Sequence, residues 1–158
     1  MKKKFLFRNV VALVLLAAFL CFFSACHQEE VSIGGQPQLK TVKLTLNGQI
    51  IEAEVADTVQ SRTLGLMFRK EMAEQAGMIF VFDESAPRSF WMKNTPRPLS
   101  IAFLDEKGTI LEIYDMKPLD ETIISSKSDQ IRFALEMNQG WFQRHGVTFG
   151  TQLSGLPE

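Results

Sequence analysis

Six cations, Arg62, Arg69, Lys70, Arg88, Lys93 and Arg97, fall between residues 62 and 97, with Trp91 and Asn94 among them. Arginine offers paired hydrogen bonds to a carboxylate or phosphate, tryptophan a flat stacking face, and an asparagine amide both donor and acceptor. Arg62, Arg69, Trp91, Lys93, Asn94 and Thr95 are therefore the candidate ligand-binding set, suited to a small anionic or sugar-like molecule. A structural reading competes with this one. An arginine between helix and loop often ties down backbone carbonyls, and a Trp-Met pair often packs in a core. Trp91, Lys93, Asn94 and Thr95 follow the apolar run GMIFVF at residues 77–82, and a junction of buried strand and polar, aromatic mouth is where a β-rich domain builds a ligand site.

Other chemistries can be tested by inventory. The histidines are His27 and His145, and there is no Gly-x-Ser-x-Gly elbow for a nucleophile. No His pair has the spacing of a zinc site, and no cofactor or metal is called for. Glu112, Asp115 and Glu136 supply carboxylates for a hydrolase of envelope polymers, but nothing in their spacing selects a pair. Met67, Met72, Met78, Met92, Met116 and Met137 bring thioethers that suit Cu(I). Methionine also fills irregular cores, and no M-x-M or M-x-x-M spacing appears. A structural or partner-binding role is the remaining class.

The elements that must position these residues are mostly strands. Val42, Leu44 and Leu46 alternate with polar residues, Asn47-Gly48 follows, and Ile51, Ala53 and Val55 alternate again. Asn-Gly supplies the two positive-φ residues of a type I′ turn, which predicts a hairpin with Leu44 opposite Ile51 and Lys43 opposite Glu52. A short helix capped by Asp57, with Gln60 as its partner, is expected to end at Gly65. Residues 78–82 read as a central strand buried on both faces. Further strands are expected at 88–93, 99–104 and 109–115, with a loop at 94–98 around Pro96 and Pro98. Alternation of Ile131, Phe133, Leu135 and Met137 with Arg132 and Glu136 predicts a half-buried strand, and 141–145 a helical turn closed by Gly146. About eight short strands with one or two short helices define a mainly β fold, a sandwich or partly closed barrel.

The N-terminus predicts an address. Lys2, Lys3, Lys4 and Arg8 precede an apolar run at 10–23, too short to span a bilayer and suited to a signal peptide. Ser24-Ala25-Cys26 resembles the lipobox of bacterial lipoproteins, with Phe23 where Leu is usual; ordinary signal cleavage is the alternative. The expected organisation is a signal over 1–25, lipidated Cys26 and a polar tether to residue 38, and one β-rich domain over 39–158. Acyl chains at Cys26 would anchor the chain to a membrane of the bacterial cell envelope. Cys21 falls within the signal, so the mature chain holds no thiol beyond Cys26. Removing residues 1–25 leaves 13 Lys and Arg against 18 Asp and Glu, a net charge of −5. That balance argues against nucleic acid as a partner.

Taken together, RTLGLMFR at 62–69, GMIFVF at 77–82, FWMKNT at 90–95 and Pro98-Leu99 resemble the prokaryotic family called domain of unknown function 192. The resemblance runs over roughly residues 40–153. It implies a compact, mostly β domain, often exported behind a signal peptide or lipobox, with no established activity. Ser100 departs from the pattern, which usually has Asp after Pro-Leu, so no carboxylate role at that position carries over.

Overall fold

The computed structural model describes residues 39–157. The expected signal segment, Cys26 and the tether lie outside the described residues. The chain begins with the hairpin of β1 (Thr41–Leu46) and β2 (Gln49–Ala56). Asn47 and Gly48 take φ of 48° and 76°, and the register pairs Leu44 with Ile51 and Lys43 with Glu52. Turn geometry and alternation agree, so four apolar side chains, Leu44, Leu46, Ile51 and Ala53, are fully buried on one face.

The next helix, α1 (Val59–Leu64), starts one residue later than the sequence predicts. Thr58, not Asp57, is the cap: its hydroxyl accepts the Ser61 N–H at 3.0 Å, and the Ser61 hydroxyl accepts the Thr58 N–H at 3.0 Å. Gly65 ends the helix with φ 48°. The helix carries the chain across to β3 (Ala76–Val81), which pairs parallel to β2. Every residue of β3 after Ala76 is buried, as an uninterrupted apolar run in a central strand requires.

β3 pairs antiparallel with β8 (Phe133–Asn138), β8 with β5 (Leu99–Leu104), and β5 with β6 (Ile110–Met116). At the other end, β9 (Leu153–Ser154) adds to β1, giving the seven-strand order β6-β5-β8-β3-β2-β1-β9. The two edges then meet. Thr109 bridges to Gln152, the Leu153 N–H donates to the Gly108 carbonyl at 2.9 Å, and the Ile110 N–H to the Thr151 carbonyl at 3.0 Å. The sheet is thus a curled half-barrel, the partly closed form of the expected mainly β fold. Helix α2 (Trp141–Arg144) buries Trp141 and Phe142 within its concave core.

A second apolar layer covers the outer face of β3, β5 and β8. Met78, Phe80, Ile101 and Phe103 point into it, with Leu66 and Met92 from the covering loops. Each such fully buried side chain contributes about 1.5–3 kcal/mol, so the cover is as much core as the interior. It overturns the half-buried expectation for β8, in which five of six residues are buried on both faces. The strand expected at 88–93 shrinks to β4 (Ser89–Phe90), paired with β7 (Ile124–Ser125) in a separate two-stranded sheet. Beyond it the Met92 N–H turns to the Asp120 carbonyl at 2.8 Å, and Asn94 turns left-handed at φ 54°.

Candidate functional site

Glu136 sits at the centre of β8, opposite Met78 on one side and Ile101 on the other. Directly opposed residues share a face, so its carboxyl enters the outer apolar layer. It is 4 % exposed, and its carboxyl makes no hydrogen bond among the described residues. Burial alone pushes it up from the ordinary 4.5 to about 8, because a charge in apolar surroundings loses its hydration. At neutral pH it is held as the neutral acid.

The carboxyl opens into a cleft of about 550 Å3. The turn at Gly65, Leu66 and Met67 lines one side, and Phe80 and Phe90 form an aromatic wall at 4.9 Å in edge-to-face contact. A Cβ at residue 65 would only touch the Phe80 ring at 3.4 Å, so it is the positive φ of 48° at the helix end that calls for glycine here. Trp91 stands at the mouth, 43 % exposed.

Two guanidiniums occupy the rim. Arg62 on α1 and Arg88 before β4 approach the Phe82 ring, with Cζ 5.6 Å and 4.0 Å from its centroid. Arg62 Nη1 donates to the Asp57 and Val81 carbonyls at 2.6 and 2.8 Å, which is the structural duty anticipated for such an arginine. Arg88 donates to the Glu84 carbonyl, and its backbone is fixed by Ser126 on both sides, at 3.0 and 2.9 Å. Burial pulls Arg88 below its ordinary value; attraction from Glu84 opposes this, and repulsion from Arg62 and Arg132 adds to it. Its Nε, like Nη1 of Arg132, is buried without a hydrogen-bond partner. Unpaired buried donors are costly, about 1–3 kcal/mol each.

Of the sequence candidates, Arg62, Trp91 and Thr95 line this cleft. Arg69 does not: it pairs with Glu54 at 2.7 Å and lines a smaller groove of about 170 Å3. Lys93 lies 5.0 Å from the Trp91 ring, beside the mouth rather than in the lining. Asn94 lies outside the lining too. Its carbonyl accepts the Phe68 N–H at 2.7 Å, and its amide reaches the Met67 sulfur at 4.0 Å. Arg88 and Glu136 are the charged cleft residues that the candidate set omits.

The carboxylates do not pair. Glu112 accepts the Tyr114 hydroxyl at 2.5 Å and the backbone N–H groups of Lys127 and Ser128. Burial would raise its pKa, but these donors outweigh it and hold the carboxyl below the ordinary value. Asp115 accepts the Ser100 hydroxyl at 2.5 Å, and that hydroxyl takes the Gly140 N–H at 2.8 Å. Ser100 therefore has a bonding role of its own where the family pattern has Asp. Of the methionines, Met137 lies in the concave core, Met78, Met92 and Met116 lie in the outer layer with Met72 packed against it, and Met67 lines the cleft. His145 stacks on Trp141 at 4.3 Å near the end of α2.

Fold and cleft together define a curled half-barrel β domain with a ligand-sized hollow on its outer face. The chain belongs to the domain of unknown function 192 family, described as an uncharacterized ACR, which it matches over residues 42–155. It is similar to a crystal structure titled "putative transcription regulator" from Sinorhizobium meliloti 1021. That match has 35 % identity and a TM-score of 0.72, covering 77 % of this chain and 98 % of the other. It is also similar to a protein of unknown function from Novosphingobium aromaticivorans DSM 12444, with 31 % identity and a TM-score of 0.70 over 73 % and 86 % of the two chains. No curated protein matches.

Proposed function

We propose that this is an envelope lipoprotein, anchored through Cys26, whose β domain binds a small anionic or sugar-like ligand in the cleft beneath Trp91. The observation that carries the reading is the rim: Arg88, next to Arg62, keeps a buried donor unpaired over a hollow of about 550 Å3. An anion there gains charge-assisted hydrogen bonds without the side chains having to be ordered first. The net charge of −5 expected for the mature chain favours a small molecule over nucleic acid, so the regulator title of the Sinorhizobium neighbour is not carried over.

The hydrolase alternative needs a second acid beside Glu136, and among the described residues lining the cleft Glu136 is the one acid. A binding role therefore fits the site better than turnover. The test is a thermal-shift screen of the detergent-solubilised chain against acidic sugars, inorganic phosphate and peptidoglycan fragments. Hits should lose their shift in Arg88→Ala and keep it in Arg69→Ala, which lies in the other groove. Equal loss in both variants, or no loss in either, overturns the cleft as the site.

A further inference from the structure

The cleft holds two recognition chemistries, and only the rim is used by the reading above. We infer that Glu136 is the ligand's second contact: its neutral carboxylic acid donates a hydrogen bond to an uncharged oxygen of the ligand, a carbonyl or hydroxyl, at the apolar floor. The ligand class narrows to small acids that carry such an acceptor apart from their anionic group. This rests on the cleft being the ligand site and deepens it.

The geometry supports a donor that awaits a partner. Glu136 is 4 % exposed, and burial is the one cause of its raised pKa, with no hydrogen bond or neighbouring charge contributing, whereas most polar groups so covered are paired. Here it opens into the hollow rather than into packed core. Its neighbours supply no counter-charge. β3 and β5 bring Met78, Phe80, Ile101 and Phe103, and the covering loops bring Leu66, Met67 and Thr95, whose hydroxyl donates to the Lys93 carbonyl at 3.2 Å. Along the same face, beyond Met78, Glu54 is engaged by Arg69 at 2.7 Å. Beyond Ile101, Tyr114 gives its hydroxyl to Glu112. The nearby cations of the cleft, Arg62 and Arg88, sit at the Phe82 rim, and neither contributes to the acidity of Glu136, which burial alone sets.

A neutral acid in apolar surroundings donates to a carbonyl or hydroxyl oxygen at no ionisation cost. A ligand ammonium would instead require it to ionise and release a proton. The two cases have opposite pH profiles. With the acid protonated below about 8, the competent fraction falls from about nine-tenths at pH 7 to about one-tenth at pH 9, so affinity for an uncharged acceptor drops about tenfold. An ammonium ligand would bind more tightly as pH rises toward 8.

The experiment is calorimetric titration of the solubilised full chain with N-acetylmuramic acid, which carries a carboxylate and an uncharged amide carbonyl. Muramic acid, with an ammonium at the same place, is the counterpart. The expected result is binding of the acetylated sugar in preference to the amine, weakening about tenfold from pH 7 to 9 with no proton release. In E136Q the pH dependence should vanish, because the amide donates at every pH, and E136L should abolish binding while circular dichroism stays that of the wild type. Preference for the amine with proton release overturns the inference and leaves the cleft reading standing. So does acetylated-sugar binding that is flat with pH and indifferent to E136L. Binding of neither sugar at millimolar concentration, while phosphate or other acids still shift in an Arg88-dependent way, overturns the inference alone; no Arg88-dependent binding of any acid removes both.

Discussion

Replacing Glu136 by Gln should change how stability depends on pH more than any other single substitution in this protein. In the unfolded chain the carboxyl titrates near 4.5, and in the fold near 8. Between those values the folded state holds a proton that the unfolded state has released, so stability falls as pH rises. The contribution of Glu136 is fully present below about 4.5, declines by about 1.4 kcal/mol per pH unit, and is exhausted above about 8. Over the whole window the loss approaches about 5 kcal/mol, comparable to the entire stability of a marginal domain. Glutamine has the shape of the protonated acid and no proton to lose. Urea unfolding of wild type and Glu136→Gln from pH 5 to pH 9 should therefore give similar midpoints at pH 5 and a variant increasingly more stable toward pH 8, with equal m-values. All other titrating groups are common to both proteins and cancel in the difference. A difference that stays flat across that range would refute the claim that burial in the fold holds this acid neutral.

Further outcomes follow from local geometry. Thr58→Ala removes the reciprocal cap of α1 and should cost about 1 kcal/mol, read as a lowered midpoint in thermal denaturation. Gly77→Ala should cost about 1–3 kcal/mol, because its Cβ would lie 2.4 Å from the Met137 sulfur and 2.6 Å from the Glu136 carbonyl; unfolding curves unchanged from wild type would refute that close approach. Asn47→Ala, which forces alanine to φ 48° and removes the 2.8 Å bond to the His145 carbonyl, should lower stability by about 1–2 kcal/mol in urea titrations.

What the sequence made legible was what local rules govern. The Asn47-Gly48 turn, the Lys43–Glu52 pairing and the buried strand through Ile79 depend on neighbours a few residues away or on unbroken apolarity, and each stands as expected. Glu136 was misplaced for the opposite reason. Alternation along β8 assigns it to the polar face, and only the cover from Leu66, Phe90 and Met92, all at least 44 residues away in the chain, makes that face an interior. The same holds for the site. Arg62, Trp91 and Thr95 reach the cleft because α1 and the β4 segment flank it. Arg69 sits seven residues beyond Arg62, close to two helical turns in pattern, but the helix has ended at Gly65 and the side chain goes to Glu54 instead. Asn94 falls in the loop that the prolines predict, but its left-handed turn, which gives its carbonyl to the Phe68 N–H, was not readable from FWMKNT.

The junction that joins Gly108, Thr109 and Ile110 to residues 150–153 has an implication for manufacture and for evolution. Losing it together with the β9 pairing to Thr45 and Leu46 would leave the start of β6 and the end of β1 as unpaired borders able to recruit copies of the chain. Shortened forms lacking residues after Thr148 should accordingly self-associate with rising concentration, which light scattering would read.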